Sequence, residues 1–167
     1  MNNNNGVLPK RKSNRLNGYD YSSVGAYHIT ICAKDNKQLF WNNVGATSGR
    51  PHPECFLSEY GKIVDNEIRK IGTVYNAVNI DKYVIMPDHI HMIVSILSDE
   101  FGRPQVAPTI SRVIKQFKGA VSKQIGFSVW QKGYHDHIIR GQQDYDETWQ
   151  YIDGNPLKWI LKNNGRT

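Results

Sequence analysis

The sequence predicts an α+β domain in which helices cover mainly one face of an antiparallel sheet. Two kinds of pattern support this: runs that alternate apolar and polar residues, and runs with apolar residues at helical spacing. Their order along the chain, strand, helix, strand, strand, helix, strand, helix, is a third observation in its favour. At 167 residues the chain can bury a core without disulfides or a structural metal, and one domain is expected.

Residues 1–18 are rich in Asn, Lys and Arg, including Arg11, Lys12 and Arg15, and lack periodicity. They read as a flexible basic arm ahead of a single domain over 19–167 that ends in a basic tail. Tyr27, Ile29, Ile31 and Ala33 alternate with His28, Thr30 and Cys32, as a half-buried strand does. Residues 45–53, with Gly, Thr, Ser and two prolines, read as a loop. Ser58 can then cap a helix that carries Ile63, Val64, Ile68 and Ile71 and stops at Gly72. Residues 77–86 and 89–97 are apolar and β-branched, and Pro87-Asp88 separates them into two strands that pair or lie adjacent. After a loop over 98–108, Ile110, Val113, Ile114, Phe117 and Val121 mark a helix over 109–124. Strand-like stretches follow at 127–130 and 137–139. Asp144, with Glu147 three residues on, reads as the cap of a last helix bearing Trp149 and Tyr151.

Composition narrows the function classes. The net charge of +6 leans toward an anionic partner, nucleic acid first. Cys32 and Cys55 lie far apart in no zinc-ligand spacing, which fits a reducing cytoplasm. No segment approaches the roughly 18 apolar residues that a membrane helix needs.

The chemistry-bearing residues concentrate in His89-Ile-His91-Met-Ile-Val94. Two residues apart on a strand, both imidazoles point to one side, while Ile90, Met92 and Val94 point to the other, toward the helices. Two nitrogen ligands leave positions for carboxylate, amide, water or phosphate, an open metal site of the catalytic kind. Taken alone, such a pair reads first as the polar face of a half-buried strand. Tyr151 by itself reads first as a ring packed beside Ile152 on the last helix. A second polar cluster, Tyr134, His135, Asp136, His137 and Arg140, offers a rival nucleophile in Tyr134 and rival ligands in Asp136 and His137. His28 and His52 have no partner nearby in sequence and read as surface histidines.

The string Tyr83-Val-Ile-Met-Pro-Asp-His-Ile-His-Met-Ile-Val94 resembles the signature of HUH endonucleases, in the branch of REP-associated tyrosine transposases and single-tyrosine insertion-sequence transposases. The resemblance also takes in Tyr27-His-Ile-Thr-Ile-Cys32, Trp130-Gln131, Tyr134–Arg140 and Tyr151-Ile-Asp-Gly-Asn-Pro156, and so most of residues 19–160. It implies a ferredoxin-like antiparallel sheet, His89 and His91 as metal ligands, Tyr151 as nucleophile, and Asn155 as a third ligand four residues later. Gly154 and Pro156 predict a helix end at that point, which puts the shared helical face of Tyr151 and Asn155 in doubt.

The resemblance further implies a metal-dependent endonuclease and strand transferase, working with Mg²⁺ or Mn²⁺ on single-stranded DNA that forms hairpins. A phenol is a weak nucleophile at neutral pH, and a divalent cation on the scissile phosphate lowers the barrier to its attack. Arg112, Lys115, Lys118 and Arg140 are candidates to neutralise phosphates, and Trp130 and Tyr134 to stack on unpaired bases. Members of the family act alone or exchange the tyrosine helix in a homodimer, and the sequence leaves both open. Two other functions fit the same residues. A replication or mobilisation nickase would be expected to bring a helicase or larger relaxase domain. A non-catalytic nucleic-acid-binding domain would use the same sheet as its platform.

Overall fold

The computed structural model describes residues 16, 18–42, 57–98 and 109–164. The expected basic arm, apart from Leu16 and Gly18, lies outside the described residues, as do the loop over 45–53, all but Ser98 of the loop over 98–108, His52, Cys55 and the last three residues of the basic tail.

One antiparallel sheet contains β1 (Gly25–Cys32), β2 (Val78–Ile85), β3 (His89–Ile96) and β4 (His135–Ile138), in the spatial order β2-β3-β1-β4. Helix α1 (Glu59–Val74) joins β1 to β2, α2 (Ile110–Ile125) joins β3 to β4, and α3 (Gly141–Asn164) follows β4. This order of strands and helices is the expected ferredoxin-like α+β fold.

Register divides the sheet into two faces. Ile29 lies opposite Met92 and Ile31 opposite Ile90, and all four are fully buried. Against them pack Val64, Ile68 and Ile71 of α1 and Val113, Ile114, Phe117 and Val121 of α2. Helix α1 has the Ser58 cap its sequence predicts, though it runs two residues past Gly72 to Val74, and α2 is capped at both ends. The Ser58 hydroxyl accepts the Gly61 amide proton at 3.1 Å, the Thr109 hydroxyl accepts that of Arg112, and Gly126 ends α2 in the left-handed region at φ 89°.

Helix α3 lies on the other face. Its Tyr145 hydroxyl donates to Asp81 at 3.0 Å, and Ser95, on the His91 side of β3, donates to the same carboxylate oxygen. Lys82 of β2 binds Asp153 and stands 4.9 Å over the Trp149 ring. Of the three α-helices among the described residues, two therefore share one face.

Between β2 and β3 the chain reverses through Pro87-Asp88, where the Met86 amide donates to the His89 carbonyl at 2.8 Å. The turn is tied down from outside: the Phe40 amide donates to the Pro87 carbonyl at 3.0 Å and the Ala33 amide to the Asp88 carbonyl at 2.7 Å. The interruption in the sequence is thus a two-residue hairpin turn that starts β3 at His89.

Three local expectations change. The stretch 127–130 contributes only the isolated bridge between Trp130 and Ala33, and the last strand begins earlier, at His135. Helix α3 starts at Gly141, so Asp144 sits inside its first turn and reaches back to accept the Arg140 amide proton at 2.8 Å. The helix also runs on through Gly154 and Pro156 to Asn164. Proline in a helix interior costs about 3 kcal/mol. Burial of Ile152 and Pro156, with Trp159 packed on Trp41 at 5.3 Å, offsets that cost.

Candidate functional site

On the α3 face, β3 presents His89 and His91, and β1 presents His28, Thr30 and Cys32. Pairing sets Thr30 opposite His91 and Cys32 opposite His89. The Nε2 atoms of His89 and His91 lie 3.1 Å apart. Each ring is held from behind at its other nitrogen: the Asp88 carboxylate accepts from Nδ1 of His89 at 2.6 Å, and Thr30 Oγ1 lies 2.9 Å from Nδ1 of His91. His28 Nε2 lies 3.2 Å from the same Nδ1.

Helix α3 brings Tyr151 onto this cluster. Its ring stands edge-on to His91 with centroids 5.2 Å apart, and to His28 at 5.9 Å. Tyr151 as a whole residue is 45% exposed. Burial, with His89 and His28 adjacent, pushes the His91 imidazole down to about 3, and burial together with His137 lowers His28. His91 is thereby held neutral, the form in which an imidazole binds a metal.

The donor set fits a divalent ion. Two bonds of about 2.1 Å at right angles place their nitrogens about 3.0 Å apart, close to the spacing of the two Nε2 atoms. The partners on the opposite ring nitrogens are of the kind that orients histidine ligands. Among the described residues no three His, Cys, Asp or Glu side chains form a ready cluster, so further positions would fall to amide, water or phosphate oxygen.

No protein-family model matches the chain. An uncharacterized protein of Haemophilus influenzae is 32% identical over 174 aligned positions, spanning 93% of each chain. The two belong to one family. A second H. influenzae protein, named provisionally as a REP-associated tyrosine transposase, is 26% identical over 82 positions, 44% of this chain and 47% of its own. Among solved structures, that of a REP-associated tyrosine transposase bound to a REP hairpin superposes with a TM-score of 0.56 at 20% identity, over 80% of this chain and 67% of its own. The chain resembles the REP-associated tyrosine transposases. Their fold is the one described above.

Within this transposase-like fold, His89, His91 and Tyr151 come together from β3 and α3. Asn155 lies one turn beyond Tyr151 on the same continuous helix, half-buried, and makes no hydrogen bond to either histidine among the described residues. His28, expected at the surface, is half-buried in the site. Only the register of β1 with β3 reveals this, since 63 residues separate His28 from His91.

The rival cluster is split by the sheet. His135 and His137 face α3, where His137 pairs with Asp144 at 2.9 Å. Tyr134 turns toward α2, its hydroxyl 3.1 Å from that of Ser111, and Asp136 lies opposite the buried Ile29. Tyr134 and Tyr151 are thus on opposite sides.

The expected DNA contacts divide in the same way. Arg140 is exposed where β4 runs into α3. Arg112 and Lys115 are exposed on α2, across the sheet from Tyr151. Lys118 donates to the carbonyls of Gln131 at 2.6 Å and Gly133 at 2.7 Å, so its ammonium anchors the loop before β4. Trp130 is buried against Phe40 and Phe117, with ring centroids at 5.2 and 5.7 Å, which corrects its expected role in base stacking. Its size and apolarity fill the core beneath α2. No described helix is long and apolar enough to cross a membrane.

Proposed function

We propose that the chain is a metal-dependent endonuclease and strand transferase acting on hairpin-forming single-stranded DNA, with Tyr151 as nucleophile and His89 and His91 as metal ligands. The observation that carries this reading is the seat of the Tyr151 ring, 5.2 Å from His91, beside a histidine pair whose Nε2 atoms face each other at 3.1 Å. The resemblance to a transposase solved with a REP hairpin supports the substrate class.

In this reading the Tyr151 oxygen attacks the phosphorus of a phosphodiester. An O–P bond forms, the bond from phosphorus to the 3′ oxygen breaks, and the phenolic proton is balanced by protonation of the departing 3′-hydroxyl. The product is a 5′-phosphotyrosine that keeps the energy of the broken bond, so a free 3′-hydroxyl can reverse the step at the same or another end. Mg²⁺ or Mn²⁺ held by His89 and His91 would polarise the scissile phosphate and offset the charge on its oxygens. Asp88 and Thr30 keep the two imidazoles turned inward, and Asn155 is the candidate third ligand. Arg140, exposed near the start of α3, would meet the DNA backbone. Arg112 and Lys115 would meet it only where a duplex stem passes the β4 edge toward α2.

The test uses 3′-labelled single-stranded hairpins from beside the protein's own gene, incubated with Mn²⁺ or EDTA and resolved on a denaturing gel. A covalent adduct that needs the metal and vanishes in Tyr151→Phe is expected. An adduct that survives in Tyr151→Phe would move the nucleophile elsewhere. Tight, metal-independent DNA binding with no adduct would replace this reading by a non-catalytic binding domain.

A further inference from the structure

We propose that His28 is a positioning residue that holds His91 and Tyr151 in place relative to each other, an inference that rests on the roles given to those two residues above. His28 reaches both from β1. Its Nε2 lies 3.2 Å from His91 Nδ1, its ring centroid is 5.2 Å from that of His91, and it meets the Tyr151 ring edge-on at 5.9 Å.

The His91 ring is braced at one nitrogen by two groups from β1, Thr30 Oγ1 at 2.9 Å and His28 Nε2 at 3.2 Å. Rotation of the ring about its own axis would lose both contacts and carry its Nε2 away from that of His89. Thr30 is directly opposite His91 in the register and reaches it with a short side chain. His28 is offset by one pleat, opposite Ile93, and reaches it with a long one. The two contacts therefore come from different directions.

The same ring supports Tyr151 through a closed path. On the β4 side, His28 is paired in register with His137, whose Nε2 binds Asp144 at 2.9 and 3.0 Å. Asp144 is on α3, two turns before Tyr151. The path from α3 through Asp144, His137 and His28 thus returns to α3 at Tyr151. Without the His28 ring, both His91 and Tyr151 lose a neighbour on the same side, and the space between them opens.

The experiment compares the unsubstituted chain with His28→Ala, His28→Gln and Thr30→Val. Binding of Mn²⁺ to the metal-free protein is measured by calorimetry, and adduct formation on the hairpins by gel, with circular dichroism to check folding. His28→Ala should weaken Mn²⁺ binding by about 10- to 100-fold, the usual effect of removing a group that orients a histidine ligand. It should slow adduct formation while leaving the KM for DNA unchanged. His28→Gln should recover most of both, because its amide reaches the position of the imidazole Nε2. Thr30→Val should weaken Mn²⁺ binding with less effect on the adduct rate at saturating metal, since Thr30 has no ring against Tyr151.

Unchanged Mn²⁺ affinity and adduct rate in His28→Ala would overturn the proposal. So would equal losses in the Ala and Gln variants with a lowered Tm, which would mark a packing defect. An unsubstituted chain that forms no adduct, yet whose Mn²⁺ affinity falls in His28→Ala and returns in His28→Gln, would remove the strand-transfer reading and uphold the bracing of His91.

Discussion

The face of the sheet turned to α1 and α2 buries Ile29, Ile31, Ile90 and Met92 completely, whereas on the same two strands the face turned to α3 carries His28, Thr30, His89 and His91. The first face is held by apolar area and shape, and neighbouring residues of similar volume can share the work. On the second, each polar group depends on a particular partner: Asp88 for His89, Thr30 and His28 for His91, Asp144 for His137. A one-residue slip of β3 against β1 would exchange the two faces. The apolar face therefore gives the polar one its geometry, and stability and chemistry should separate by face.

Truncating adjacent residues of β3 should separate the two faces most clearly. Ile90→Ala should cost about 2–5 kcal/mol of unfolding free energy, the range for a buried aliphatic side chain. His89→Ala should shift the urea midpoint only slightly and abolish the covalent adduct. Comparable destabilisation by both would mean that the histidine face is itself part of the core.

A smaller effect is expected at Gly61, in the first turn of α1, where a Cβ would stand 2.2 Å from the backbone oxygen of Phe40. Helix propensity favours alanine over glycine by about 1 kcal/mol. The overlap is with main chain that cannot swing aside, so Gly61→Ala should be net destabilising, by roughly 1–3 kcal/mol in a denaturant titration. A stabilised variant would show that α1 is free to lift away from the segment before it.

The smallest effect tests the pin between α3 and β4. The Arg140 amide and His137 beside Asp144 hold its carboxyl below its ordinary value of 3.8. A carboxyl depressed in the folded state adds stability that is present above 3.8 and is lost as the pH falls through its folded value. The chain should thus lose some stability below about pH 4 that Asp144→Asn never had, read as converging Tm values at low pH. Parallel Tm curves would mean that the pair does not hold α3.

How much was legible depended on distance along the chain. The buried faces of α1 and α2 and the alternation of β1 and β3 follow from repeats of two or three to four residues, and these, with the Ser58 cap, were readable from the order of residues alone. The side-by-side placement of His89 and His91 follows from the same two-residue repeat. Trp130 misled because an aromatic beside basic residues reads equally as a stacking platform or as core, and only its packing on Phe40 and Phe117 distinguishes them.

The remaining features needed the folded chain. His28 and Thr30 reach His91 across 63 and 61 residues, through a register that no local pattern encodes. The continuation of α3 past Pro156 reverses a sound local expectation, because burial of Ile152 and Pro156 outweighs a backbone cost paid at one position. Tyr151 lies beside the histidines because α3 crosses the uncovered face of the sheet. Local periodicity sets which side of an element is apolar, while the groups that meet across the sheet are set by strand pairing and helix docking, which depend on the whole core at once.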